Sequence, residues 1–220
     1  MVGDLGKAAS SLICILTLIM AVSIVSSAHA TGEAKPSVTI ARTVQIHIGG
    51  LVVINETIVI RNNSTSPISN FLIGFPMNYS SNLVTPRWQN GSIILPAAFG
   101  PNHEKLDIQL NVPMEKENIY GIKVGFTRPI DLNQNYTFTL TYIFSRIISY
   151  SLEEDRYTIN LPSYSCITQD ANECDVTVVL PVDSIVEDFE TKLVNEKPTF
   201  SYYVAPLQAY SDNIIQIPFT

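Results

Sequence analysis

Few side chains in this chain could carry chemistry, and they are scattered. Histidine occurs only at positions 29, 47 and 103, in no spacing that would place two of them on one metal. The sequence contains no Gly-rich phosphate loop, no nucleophile elbow and no H-E-x-x-H run. Glu153-Glu154-Asp155 is an acidic cluster. A calcium loop needs oxygens at alternate positions and a turning glycine, so a solvated turn is the better reading. Glu187, Asp188 and Glu190 read the same way. No catalytic, cofactor-binding or metal-binding residue is therefore expected. Distant residues can still assemble into one site, as Glu153, Glu154 and Glu187 would if they met in space.

Modification chemistry is better represented. Asn-x-Ser/Thr occurs at Asn55, Asn62, Asn63, Asn78, Asn90 and Asn135, never with proline in the middle. From the frequency of Ser and Thr, chance supplies roughly two or three such matches to the acceptor motif. The excess is modest, and Asn- and Ser-rich loops could also produce it. The Asn62 and Asn63 motifs overlap, so one of them at most is expected to be used. Cys166 and Cys174 are the cysteines that follow the N-terminal apolar run. In an oxidising compartment their pairing is expected, as a staple at a hairpin tip.

That compartment is suggested by the N-terminus. Residues 8–28 carry no charge, Lys7 precedes them, and Ala28-His29-Ala30 has the small-x-small form of a cleavage site. Residues 1–30 thus read as a secretory signal peptide cut between Ala30 and Thr31. The alternative is an uncleaved anchor, since the run could just span a bilayer. The remainder, 31–220, is of one-domain size. The composition is 46% hydrophobic and 15% charged, which favours a packed domain over a disordered chain. A net charge of −7 and the lack of any basic run disfavour nucleic acid as a partner. No small-molecule ligand and no cofactor is indicated.

The elements that must position these residues read as strands. Val44, Ile46 and Ile48 alternate with Thr43, Gln45 and His47 before Gly49-Gly50 breaks the run. Val52, Ile54, Ile58 and Ile60 follow on one face, where Glu56 interrupts and suggests a bulge or a strand end. Asn62 to Pro67 turns the chain, and Phe71, Ile73 and Phe75 start back. Later strands are expected at 93–95, 106–112, 120–126, 136–144, 157–161, 176–180, 200–204 and 214–219. The run at 136–144 is the cleanest, with Tyr136, Phe138, Leu140, Tyr142 and Phe144 opposite Thr137, Thr139 and Thr141. Pro129 with residues 131–134 should form a turn. Residues 185–193 are ambiguous between a capped helix and a strand, with strand slightly favoured. The fold class is all-β, an antiparallel β-sandwich of about ten strands.

The order of these segments resembles the luminal N-terminal region of the ribophorin I family, a non-catalytic subunit of the eukaryotic oligosaccharyltransferase. The resemblance starts at Arg42-Thr43-Val44 and runs through residues 51–61, Ser64 to Ser66 and Phe71-Leu72. It resumes at Tyr142 and the Glu153-Glu154 segment, then at Pro162-Ser163-Tyr164 and Val178 to Pro181. It continues at Val186-Glu187 and Thr191-Lys192-Leu193, and closes with Tyr203, Pro206 and Ala209-Tyr210-Ser211. Collinear order carries it; no single motif is specific, and the Cys166 to Cys174 loop does not map. It implies an accessory or scaffolding domain without enzymatic activity. Such a domain would be exported and lie on the luminal side of the endoplasmic reticulum membrane or at the extracellular surface. It would contact a multi-spanning catalytic subunit and nascent exported chains. The alternative is a free-standing secreted envelope or adhesion module that is itself glycosylated.

Overall fold

The computed structural model describes residues 35–85, 96–168, 171–186, 188–209 and 213–220. The expected leader with its Ala30–Thr31 junction lies outside these residues, as do Trp88, Asn90, Glu187 and the expected strand at 93–95. Among the described residues there are fourteen strands and no α-helix. They are β1 (Ser37–Ile46), β2 (Leu51–Arg61), β3 (Ile68–Pro76), β4 (Ala97–Phe99), β5 (Asp107–Val112), β6 (Ile119–Ile130) and β7 (Asn135–Ser145). The later ones are β8 (Ile148–Ser151), β9 (Arg156–Pro162), β10 (Cys166–Ile167), β11 (Glu173–Val179), β12 (Lys192–Val194), β13 (Lys197–Val204) and β14 (Ile214–Phe219).

They form a large sheet in the order β12-β13-β11-β1-β2-β7-β4, a second sheet β10-β3-β6-β5 and a small third sheet β14-β9-β8. Pairing is antiparallel except between β1 and β11, which run parallel. The alternation read from the sequence sets which face is buried. Val38, Ile40, Val44 and Ile46 of β1 and Val52, Ile54, Ile58 and Ile60 of β2 are each at most 2% exposed. All five inward residues of β7 are buried. Phe71 and Phe75 of β3 meet Phe138 and Phe144 of β7 edge-to-face, at centroid distances of 5.9 and 5.0 Å, which joins the first two sheets.

The β1–β2 hairpin is closed at Gly49 and Gly50, with φ of 99° and 81°, a region that side chains with a Cβ rarely adopt. Ile48 belongs to this turn. It is 88% exposed and does not extend the buried stripe as expected. Glu56 marks neither a bulge nor a strand end: β2 runs through it in unbroken register with β1 and β7. The register does shift between Leu110 and Val112 of β5, where Asn111 takes a φ of 57°. That edge strand is mostly exposed, with Leu106 buried just before it. β6 continues through Pro129, and only residues 131–134 turn. Residues 185–191 are neither helix nor strand where described; a short strand begins at Lys192.

Asn62 ties the sheets together. It sits where the chain crosses from β2 to β3, and it is completely buried. Its side-chain amide donates to the carbonyls of Ser66 (2.9 Å) and Ile130 (2.8 Å), and its Oδ1 accepts from the Ser64 N–H. Its own backbone N–H donates to Gln134, and its carbonyl accepts from Asn133. One side chain thereby fastens the β2–β3 crossing to the β6–β7 crossing.

Phe138 contacts Phe71 and Phe126, while Thr139 lies on the open face of the same strand. Phe138→Ala is expected to cost about 3–5 kcal/mol, as deleting a packed aromatic does. Thr139→Ala should cost less than about 1 kcal/mol, as exposed substitutions do. Urea midpoints of the two variants check this, and equal losses would contradict the one-sided packing.

Candidate functional site

Two features stand apart from ordinary packing. One is a charged cluster inside the core; the other is an open cleft at one end of the sandwich.

The cluster arises from register. Arg42 of β1 faces Glu56 of β2 directly, and both point inward. On the same inner row Arg42 adjoins Val176, which adjoins Tyr202. Arg42 Nη1 lies 3.3 Å from Glu56 Oε1, with the side chains 1% and 0% exposed. This is an ion contact without a formed hydrogen bond: Arg42 Nε and Nη1 and Glu56 Oε2 have no hydrogen-bond partner among the described residues. Glu56 Oε1 accepts instead from the Tyr142 hydroxyl (3.2 Å) and the Ser165 hydroxyl (2.5 Å). Tyr142 and Ser165 are themselves 2.9 Å apart.

The surroundings set the protonation states. Burial opposes the charge on Arg42, yet Tyr142, Glu56, Tyr202 and Cys174 around it hold its pKa above the ordinary arginine value. Burial raises the Tyr142 phenol well above its usual range, against the opposing pull of Arg42. Burial also pushes the Cys174 thiol, with Glu56 adding to it, and the Tyr202 phenol up to about 12 each. At neutral pH a cationic Arg42 is thus enclosed by protonated tyrosines and a protonated thiol. A thiol in that state is a poor nucleophile. The arrangement suits a structural pair better than a reactive one.

The cleft, of about 550 Å³, lies where the β1–β2 turn, β8, the 181–184 loop and the end of β14 converge. Ile48, Tyr150, Tyr157 and Val182 line it and are each at least 45% exposed. Asp183 is the acid of its lining, and no lysine or arginine belongs to it. His47, Ser149 and Ser184 also reach it. Among the described residues no hydrogen bond joins His47 to either serine or to Asp183, so no base–nucleophile pair is formed there. His103 lies far off in sequence, in a turn at φ 59°. The acidic run is an exposed turn as expected: Glu154 pairs with Arg156 at 2.7 Å, and Asp155 accepts from the Tyr150 hydroxyl.

The structure sorts the remaining candidates. Asn55, Asn78 and Asn135 are exposed, and Asn63 is half-buried with its amide donating to the Lys35 carbonyl. Asn62 cannot carry a glycan in this fold, because both of its amide hydrogens are donated inside the core. The expected Cys166–Cys174 disulfide is not formed, and both side chains are buried. The hairpin-tip expectation fails on topology. Cys166 sits on β10 against Gly74 in the second sheet, and Cys174 on β11 against Ile40 in the first. The segment between them changes sheet and is no hairpin tip. Sequence reasoning gave Arg42 no role, because the first strand's alternation was read from Thr43, six residues after the strand begins at Ser37. The available signal was position: Arg42 and Glu56 are equidistant from Gly49 and carry opposite charge.

No protein-family model matches the sequence. No curated protein matches it either. The fold is shared with solved structures. An M1 zinc metallopeptidase from Deinococcus radiodurans, a mutant bound to a Tyr-Ser-Ala substrate, is 12% identical with a TM-score of 0.51. The likeness covers 84% of this chain and 42% of that one. A two-domain M1 zinc metallopeptidase mutant bound to L-tryptophan gives 12% identity, a TM-score of 0.51 and coverage of 86% and 43%. The chain therefore spans less than half the length of these proteins. At such identity the likeness is one of fold.

Peptide mapping of the protein expressed through a eukaryotic secretory pathway tests the sorting. After alkylation in denaturant without reductant, Cys174 should be labelled, and in the native protein it should not react. Glycan should be absent from Asn62. A Cys166–Cys174 disulfide peptide, or a glycosylated Asn62, would contradict the geometry.

Proposed function

We propose that this chain is a non-catalytic contact domain of an exported protein, acting as an accessory to protein N-glycosylation on the luminal or extracellular side. Its work is to hold a partner in place and not to transform one. The observation that carries this reading is the end cleft, which exposes large apolar side chains in a small area. Exposed apolar surface concentrated in this way marks interaction sites. The chemistry at the cleft fits: aromatic and aliphatic groups converge there, while the strongest polar cluster is sealed in the core. The sequence resemblance to the ribophorin I family supplies the kind of partner, a multi-spanning glycosyltransferase subunit and its nascent acceptor chains.

A second reading has an observation of its own. Asn55, Asn78 and Asn135 present sequons on the surface, which a free-standing secreted module bearing glycans would also do.

The experiment is cross-linking from the cleft. A photoreactive amino acid at Val182, compared with one at Thr139 on the open sheet face, should capture a membrane-embedded glycosyltransferase subunit or a nascent exported chain from the first position only. A monomer recovered from the medium without such cross-links, and carrying its own glycans, would support the second reading. Transfer or hydrolysis of glycan by the purified domain, lost in His47→Ala, would overturn both.

A further inference from the structure

The cleft has a second property beyond its apolar lining. β8 is the edge of the third sheet: it pairs with β9 on one side only. Ile148, Ser149 and Tyr150 of this strand line the cleft. Its sequence, ISYS, has no proline and no charge. Proteins usually blunt an exposed edge with charges, proline, a bulge or a short strand; β8 has no charge, proline or bulge, and its four residues limit any added strand to a short one. An open edge bordering an apolar cleft is the arrangement used to add an extended peptide as a further strand. Backbone hydrogen bonds then give affinity, and alternate side chains enter the cleft.

Charge narrows the occupant. Asp183 stands in the cleft lining, and Asp155 is bound to the hydroxyl of Tyr150. Glu153 lies in the same exposed turn. Arg156, which follows the turn, is already engaged with Glu154, and the exposed Arg146 that precedes β8 does not belong to the cleft lining. The chain as a whole carries −7. A second copy would bring like charge to this acidic rim, which disfavours self-pairing here. We infer that the β8 edge and its cleft receive an extended segment of a partner protein in which apolar residues alternate with lysine or arginine. The apolar side chains would occupy the space among Ile48, Tyr150, Tyr157 and Val182. The basic ones would meet Asp183 and Asp155.

This inference rests on the contact reading proposed above and adds the class of partner segment. It is tested on the whole exported chain by fluorescence anisotropy with short labelled peptides. A peptide alternating leucine and lysine should bind saturably, and its counterpart with glutamate in place of lysine should not. N-methylation along the lysine peptide, which removes backbone donors, should abolish binding. Ile48→Lys changes an exposed turn residue and should weaken binding at least about tenfold, equivalent to about 1.4 kcal/mol. Asp183→Asn should weaken it about threefold and flatten its dependence on salt, as loss of a rim charge does. Equal binding of both peptides, no binding of either, or a dimer in sedimentation that Ile48→Lys dissociates would each overturn the inference. Cross-links at Val182 to a partner lacking basic residues would overturn this inference while leaving the contact reading standing. Loss of all Val182 cross-links would remove both.

Discussion

The contact between Arg42 and Glu56 constrains the rest of this structure. The two residues face each other on neighbouring central strands of the largest sheet, with no access to water. Two buried charges are costly to desolvate, and their attraction offsets that cost only where neighbours satisfy the remaining polar atoms. Here that is met only in part: Tyr142 from β7 and Ser165 from the segment before β10 donate to Glu56 Oε1, and Tyr202 and Cys174 from the strands beyond β1 add favourable electrostatics, while Arg42 Nε and Nη1 and Glu56 Oε2 have no hydrogen-bond partner among the described residues. A slip of the β1–β2 register by one residue would turn one charge outward and leave the other alone in the core. The pair thus acts on specificity, since it penalises the wrong hairpin.

The same logic runs outward to the function proposed. Fixing β1 and β2 fixes the glycine turn that joins them, and that turn carries Ile48 to the rim of the cleft. At the other end of the hairpin, Asn62 locks the two crossings between the first and second sheets. Aromatic contacts between β3 and β7 close the space between them. The contact surface proposed is the apolar end where the β8 edge lies open.

Much of this was legible in the residues. The stripe Tyr136 to Phe144 is visible because a half-buried strand imposes a period of two, and the structure buries each of its members. The Gly49-Gly50 turn is visible because only glycine takes those dihedrals without strain. What was not legible is what depends on partners remote in sequence. Glu56 looked like a break in an apolar face, since its sequence neighbours do not include Arg42 across the hairpin. Cys166 and Cys174 looked like a short loop, since sheet membership is decided by Gly74 and Ile40 far upstream. Asn62 looked like a glycan acceptor, since its motif says nothing of the carbonyl of Ile130. Short edge strands such as β4 and β8 leave too few residues for a pattern. The cleft was missed for the same reason: its lining comes from five separate segments, each unremarked in isolation.

The central claim is that Arg42 and Glu56 are one unit on which the hairpin depends. A double-mutant cycle in urea tests it most directly. Arg42→Met alone and Glu56→Leu alone should each destabilise by about 3–5 kcal/mol, the cost of stranding a buried charge. Arg42→Met with Glu56→Leu should recover most of that loss, because neither charge remains to be buried. If the two losses simply add in the double variant, the residues act independently and the account is wrong.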